Sequence, residues 1–167
     1  MKHILAILVE NKPGVLARVA GLFGRRAFNI DSIAVGETAE PGISRMTIVV
    51  DGDERTLEQV SKQLHKLINV IKVARIYPEG SVTRELVMIK VKTLPESRQE
   101  ILQIIDSFRA KVVDISLDSL IVEVTGDAGK VEALKRLLGH FGIMEIVRTG
   151  KVSILRGTKT TKNGEAR

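Results

Sequence analysis

Two short stretches of this 167-residue chain have the residue types and spacing to hold a small charged molecule. The first is Glu10-Asn11-Lys12-Pro13-Gly14-Val15-Leu16, between the apolar run Ile4 to Val9 and apolar residues that recur at helical spacing. Pro13-Gly14 makes a tight turn and removes a side chain where backbone is approached closely. The first N–H groups of the helix that follows are unpaired and point outward. A carboxylate fits there, favoured by those donors and by the positive end of the helix dipole, and Asn11 adds an amide. The same residues also make an ordinary strand-to-helix turn. The second stretch, Arg26-Ala27-Phe28-Asn29-Ile30-Asp31-Ser32-Ile33, follows that helix. Asn29 carries a donor and an acceptor, so it can read an ammonium and a carboxylate together. Ile30, Ile33 and Val35, with Leu16, supply aliphatic surface for a branched side chain, although Asn29 also suits a turn and the isoleucines a core.

Other chemistry is poorly supplied. His3, His65 and His140 fall at the N-terminus, in a helix and at a helix end, with no spacing that brings two to one metal, and solvated or edge positions are expected for them. No Gly-x-Ser-x-Gly elbow, phosphate-binding Gly-x-x-x-x-Gly-Lys-Ser/Thr loop or Gly-x-Gly-x-x-Gly fingerprint occurs. With no Cys, a disulfide scaffold, a thiol nucleophile and a cysteine-ligated zinc are excluded, and a reducing, cytoplasmic location fits. The longest apolar run is six residues, so no membrane span is expected. Net charge is +6, which suggests nucleic acid at first sight, but +5 of it lies in the last 20 residues and the other 147 are near neutral. A nucleic-acid-binding protein acting through a basic C-terminal tail is therefore the alternative reading, testable by deleting 158–167.

The elements that must position these stretches repeat. A strand at 4–9, a helix with Val15, Leu16, Val19, Ala20, Leu22 and Phe23, strands at 28–37 and 43–51, a helix capped by Asp53 and a strand at 70–77 give βαββαβ. The second half gives the same order, with strands at 86–91, 111–117, 119–125 and 143–149 and a capping box at Ser97-x-x-Glu100. At an offset of 74, Gly52-Asp53, Leu57, Val60 and Leu64 fall on Gly126-Asp127, Val131, Leu134 and Leu138. The fold class is α+β, two tandem ferredoxin-like βαββαβ domains at 1–78 and 79–157, followed by a basic flexible tail at 158–167. This is also the order of RNA-recognition motifs, but strands 43–50 and 120–124 carry no aromatic for base stacking. Gly139-His-Phe-Gly142 resembles the GXXG loop of KH domains, yet it reads as helix-terminating glycines. Because 4–9 is apolar on both faces, an oligomer is expected to bury part of the face away from the helices, the alternative being an internal contact between the two halves.

Ile4-Leu-Ala-Ile-Leu-Val-Glu-Asn-Lys-Pro-Gly-Val-Leu-Ala-Arg-Val19, Gly21-Leu-Phe23 and Phe28-Asn-Ile-Asp-Ser-Ile33 resemble the ACT-domain motif of the small regulatory subunit of acetohydroxyacid synthase (acetolactate synthase). Ser44 to Ile48, Gln63 to Leu67 and Arg84-Glu85-Leu86 resemble further stretches of that family, and the likeness runs over about residues 1 to 157. The resemblance implies an ACT first domain and a homodimer that binds valine, or leucine or isoleucine, between first domains. It implies association with a separate catalytic large subunit, which alone carries thiamine diphosphate, magnesium and FAD, so this chain is non-catalytic and holds no cofactor or metal. Carried over, the effector loop is Asn11, Pro13, Gly14, Val15 and Leu16 of one chain with Asn29 and Ile30 of the facing chain. One position departs: the family usually has Gly after the first helix, and here Ala27 would make a left-handed helix end cost about 1 kcal/mol.

Overall fold

A computed structural model describes residues 1–163. The elements run β1 (Lys2–Glu10), α1 (Val15–Arg25), β2 (Ile30–Glu37), β3 (Ile43–Asp51), α2 (Glu54–Leu64), β4 (Val70–Ile76), β5 (Ser81–Lys92), α3 (Arg98–Ser107), β6 (Lys111–Ile115), β7 (Ser119–Gly126), α4 (Ala128–Gly139), β8 (Ile143–Arg148) and β9 (Val152–Leu155), with a 3-10 turn at Pro78–Gly80. The chain forms two compact units, Met1–Thr83 together with the segment from Lys151, and Arg84–Gly150.

In the first unit the antiparallel sheet has the order β2-β3-β1-β4. Alternation sends Leu5, Ile7 and Val9 of β1 and Met46, Ile48 and Val50 of β3 to the helix side, where Val19, Leu22 and Phe23 of α1 and Leu57, Val60 and Leu64 of α2 close the core. The second unit repeats the order as β6-β7-β5-β8, with Val87, Ile89, Val122 and Val124 facing Ile101, Ile105, Val131, Leu134 and Leu138. The Asp expected to cap the second helix of each repeat does so: Asp53 accepts from Thr56 N–H at 2.7 Å and Asp127 from Lys130 N–H at 2.9 Å.

Several expectations are corrected. Ser97 makes no capping box; its hydroxyl instead accepts from Leu94 N–H at 3.1 Å and closes the 94–97 turn. His3 is buried, its Nε2 3.1 Å from the Gly52 carbonyl and its Nδ1 3.0 Å from Arg75, which also grips Glu54. His65 and His140 are exposed at helix ends, and Gly139-His-Phe-Gly142 is the end of α4 with Gly142 at φ 102°. The strand read at 28–37 begins at Ile30, that at 111–117 ends at Ile115, and that at 86–91 extends to Ser81–Lys92.

The largest difference lies after residue 150. The segment 151–163 crosses the face of the first sheet away from the helices. Within it, β9 pairs with β5, Leu155 is buried with Ala6 and Ile76, and the Arg45 guanidinium donates to the Ser153 carbonyl. Arg156 donates to the Ser81 carbonyl and Lys162 pairs with Glu40, so one basic residue of the tail expected to be flexible, Lys162, is held by its own chain, as is Arg156 just before it. Residues 164–167 of that terminus lie outside the described residues. This strap accounts for the apolar far face of β1, for which an oligomer was expected. It also moves residues 79–83 and 151–157 from the second half to the first unit.

Candidate functional site

The turn after β1 is built as its residues require. Gly14 has φ 82° and ψ −6°, the third position of a type II turn with Pro13 before it, and Val15 N–H reaches the Lys12 carbonyl at 3.4 Å. A side chain at Gly14 would meet nothing within 4 Å, so the glycine is needed for its backbone angle and not for protein packing. Helix α1 starts there with no side-chain cap and no acidic residue in its first turn, so among the described residues the N–H groups of Leu16 and Ala17 are left to solvent or a ligand. Asn11 stands beside them and donates from Nδ2 to Glu37 Oε1 at 3.0 Å. Glu10 is held below the usual carboxylate range, first by a 2.6 Å bond from Asn69 and then by Lys12.

Asn11, Pro13, Gly14 and Leu16 are exposed, whereas the Val15 side chain is 3% exposed and belongs to the core. Val15 can therefore serve a ligand only through its backbone. Ile30 is half-buried and packs on the same core. Asn29 is exposed and donates to Asp31 at 2.9 Å, and Asp31 is paired with Lys2. Val35 and Leu16 stand about half exposed on the helix side of the sheet.

The path into Asn29 is a strained helix end. Ala27 takes φ 56°, with Ala27 N–H bonded to the Gly24 carbonyl at 3.2 Å and Phe28 N–H to the Phe23 carbonyl at 3.0 Å, the paired bonds of a Schellman motif. The second unit ends α3 the same way, with Arg109 at φ 50°. Ala27→Gly is expected to raise stability by about 1 kcal/mol, read as a higher urea midpoint at unchanged slope.

Within one chain the two stretches do not meet. Asn11 is bonded to Glu37 at the end of β2, and Asn29 precedes Ile30 at its start. Seven steps of strand at about 3.3 Å separate the ends by roughly 23 Å. β2 is the outer strand of its sheet, paired only with β3 among the described residues. Glu37 was not singled out from the sequence; its only sign there is an acidic residue closing the strand that Ile30 opens. Among the described residues no group of three His, Asp or Glu is placed to hold a metal, and no helix is long and apolar enough to cross a membrane.

Two tandem α+β units with uncapped first helices, the first of them an ACT-type unit, define the class. The family described as AHAS small subunit-like ACT domain matches residues 5–72, and that described as small subunit of acetolactate synthase matches 84–157. The chain belongs to the acetolactate synthase small-subunit family. It is 58% identical over 159 residues to a probable acetolactate synthase small subunit of Archaeoglobus fulgidus, covering 95% of this chain and 99% of that one. It is 55% identical to the acetolactate synthase small subunit of Mycobacterium leprae over 94% and 93% of the two chains. The crystal structure of the acetolactate synthase small subunit from Thermotoga maritima superposes with a TM-score of 0.86 at 47% identity, covering 95% of this chain and 99% of that one.

Proposed function

We propose that this chain is the non-catalytic regulatory subunit of acetolactate synthase in branched-chain amino acid synthesis. It forms a homodimer through its first units and binds valine, or leucine or isoleucine, between them. It activates a cytoplasmic, thiamine-diphosphate-dependent catalytic subunit, which also carries magnesium and FAD, and makes that enzyme sensitive to the effector. The observation that carries this reading is the placement of Asn11 and Asn29 at opposite ends of the outer strand β2. A second copy laid antiparallel along β2 brings the Asn29 end of one chain to the Asn11 end of the other, twice, as two-fold symmetry demands. There the valine carboxylate takes the opening N–H groups of α1, its ammonium takes Glu37 and the asparagine oxygens, and its side chain takes Leu16 and Val35.

The magnitude fits feedback. Valine has about 8 non-hydrogen atoms, and at roughly 0.5 to 0.8 kcal/mol each it binds with millimolar to tens-of-micromolar affinity. Coupling of about 1 to 3 kcal/mol between two states of the complex is enough for inhibition. The test is co-purification with the catalytic subunit of the same organism, followed by acetolactate formation with and without valine. The chain alone is expected to give no turnover, the catalytic subunit alone low and valine-insensitive turnover, and the mixture higher turnover that valine suppresses. Activity of the isolated chain, or a mixture that valine leaves unchanged, overturns the reading.

A further inference from the structure

On the face of the first sheet opposite the helices, residues 160–162 and the neighbouring strands enclose a cleft of about 230 Å³. Leu8 and Ile43 give it apolar walls, and Arg45, Glu40, Thr161 and Lys162 give it polar ones. Two groups there are incompletely served. Arg45 is half-buried opposite Leu8 in the β1–β3 register, and its guanidinium donates to one carbonyl, that of Ser153, with no carboxylate partner among the described residues. Loss of solvent lowers its pKa, as expected of a buried cation without a counter-charge. Thr161 is 5% exposed, and its Oγ1 is the buried side-chain polar atom left without a hydrogen-bond partner among the described residues. A guanidinium has five donors in a planar fork, so most of its capacity remains after one carbonyl is served. An unpaired buried hydroxyl is costly, and an incoming acceptor would remove that cost.

We propose that this cleft binds a small anion through a carboxylate or phosphoryl group, held by the Arg45 guanidinium and the Thr161 hydroxyl. Two oxygens on one centre match the guanidinium fork, and a further oxygen takes the hydroxyl proton. Lys162 is already paired with Glu40 and adds a neutral rim, so Arg45 supplies the net charge. Leu8 and Ile43 leave room for a short aliphatic stem on the ligand. None of these residues belongs to the effector loop, so this site stands or falls apart from valine binding.

The experiment is a titration of the isotopically labelled full chain with sodium acetate and, separately, sodium phosphate, at ionic strength held constant with chloride, followed by NMR. Saturable shifts of the Arg45 Nε–H and of the Thr161 and Lys162 amides are expected, with a dissociation constant on the order of 1 to 10 mM for such small probes. The anion that saturates at lower concentration names the group, carboxylate or phosphoryl. Thr161→Val should weaken binding about tenfold, and Arg45→Gln should abolish saturation. Because Arg45→Gln also frees the Ser153 carbonyl, Thr161→Val is the deciding variant: it removes a hydroxyl that bonds nothing among the described residues, so the thermal midpoint should hold or rise while the anion shifts weaken. Shifts that grow linearly with either anion, or a midpoint of titration unchanged in Thr161→Val, overturn the proposal.

Discussion

Leu155→Asp is expected to destabilise the first unit by about 3 kcal/mol or more, while Val152→Asp, three residues earlier on the same strand, changes stability by no more than about 0.5 kcal/mol. Leu155 is 6% exposed and packs with Ala6 and Ile76, so aspartate there loses apolar burial and places an unpaired charge against β1. Val152 and Ile154 are 51% and 61% exposed on the outer side of β9. Composition alone ranks the three residues alike; only the strap's register separates them. Urea unfolding gives the difference directly. Hydrogen exchange locates it: in Leu155→Asp the amides of β1 and β3 should lose protection while those of β7 and α4 keep theirs. Equal loss in both units, or equal sensitivity at positions 152 and 155, would remove the strap from the account of the first sheet.

Asn29→Ala and Asn11→Ala are each expected to weaken valine binding by about 10- to 150-fold, the range for losing one hydrogen bond to a charged group at about 1.5 to 3 kcal/mol. Both residues are exposed, so the fold should be untouched. The stronger experiment mixes the two variants after mild dissociation. If each site takes Asn11 from one chain and Asn29 from the other, a mixed dimer carries one doubly altered site and one intact site. Random pairing then restores high affinity in about a quarter of all sites, visible by calorimetry as a tight phase that neither variant shows alone. Recovery of no tight phase would place both asparagines in the same half of the site, or one of them outside it, and would contradict the antiparallel arrangement along β2.

Much of this was legible in the residues. The doubled pattern at an offset of 74, the Asp53 and Asp127 caps and the helix-side core all follow from local periodicity and side-chain chemistry, which tertiary packing did not override. Ala27 was legible as a difficulty: the chain accepts the left-handed conformation because two backbone bonds close the helix end around it. The strap was not legible. The basic residues of 158–167 suggested a flexible tail, and the partners that hold the strap are remote in the chain, Ser81 and Ile76 in its middle and Glu40, Arg45 and Ala6 more than 100 residues earlier. Ser97 misled for a local reason, since a serine before a helix can close the preceding turn as readily as cap the helix. Of the candidate site, the residue identities could be named from sequence, but the separation along β2 needed the sheet order, and Glu37 needed its bond to Asn11.

The strap also sets an order of events on the ribosome. The second unit, Arg84–Gly150, is contiguous in the chain and can close once Gly150 has emerged. The first unit, although made first, waits with one side of β1 bare until residues 151–163 are synthesised and laid across it. During that interval the nascent chain carries an uncovered apolar sheet face, a target for chaperones and a hazard for aggregation. A stop codon shortly after position 150 would make that interval permanent.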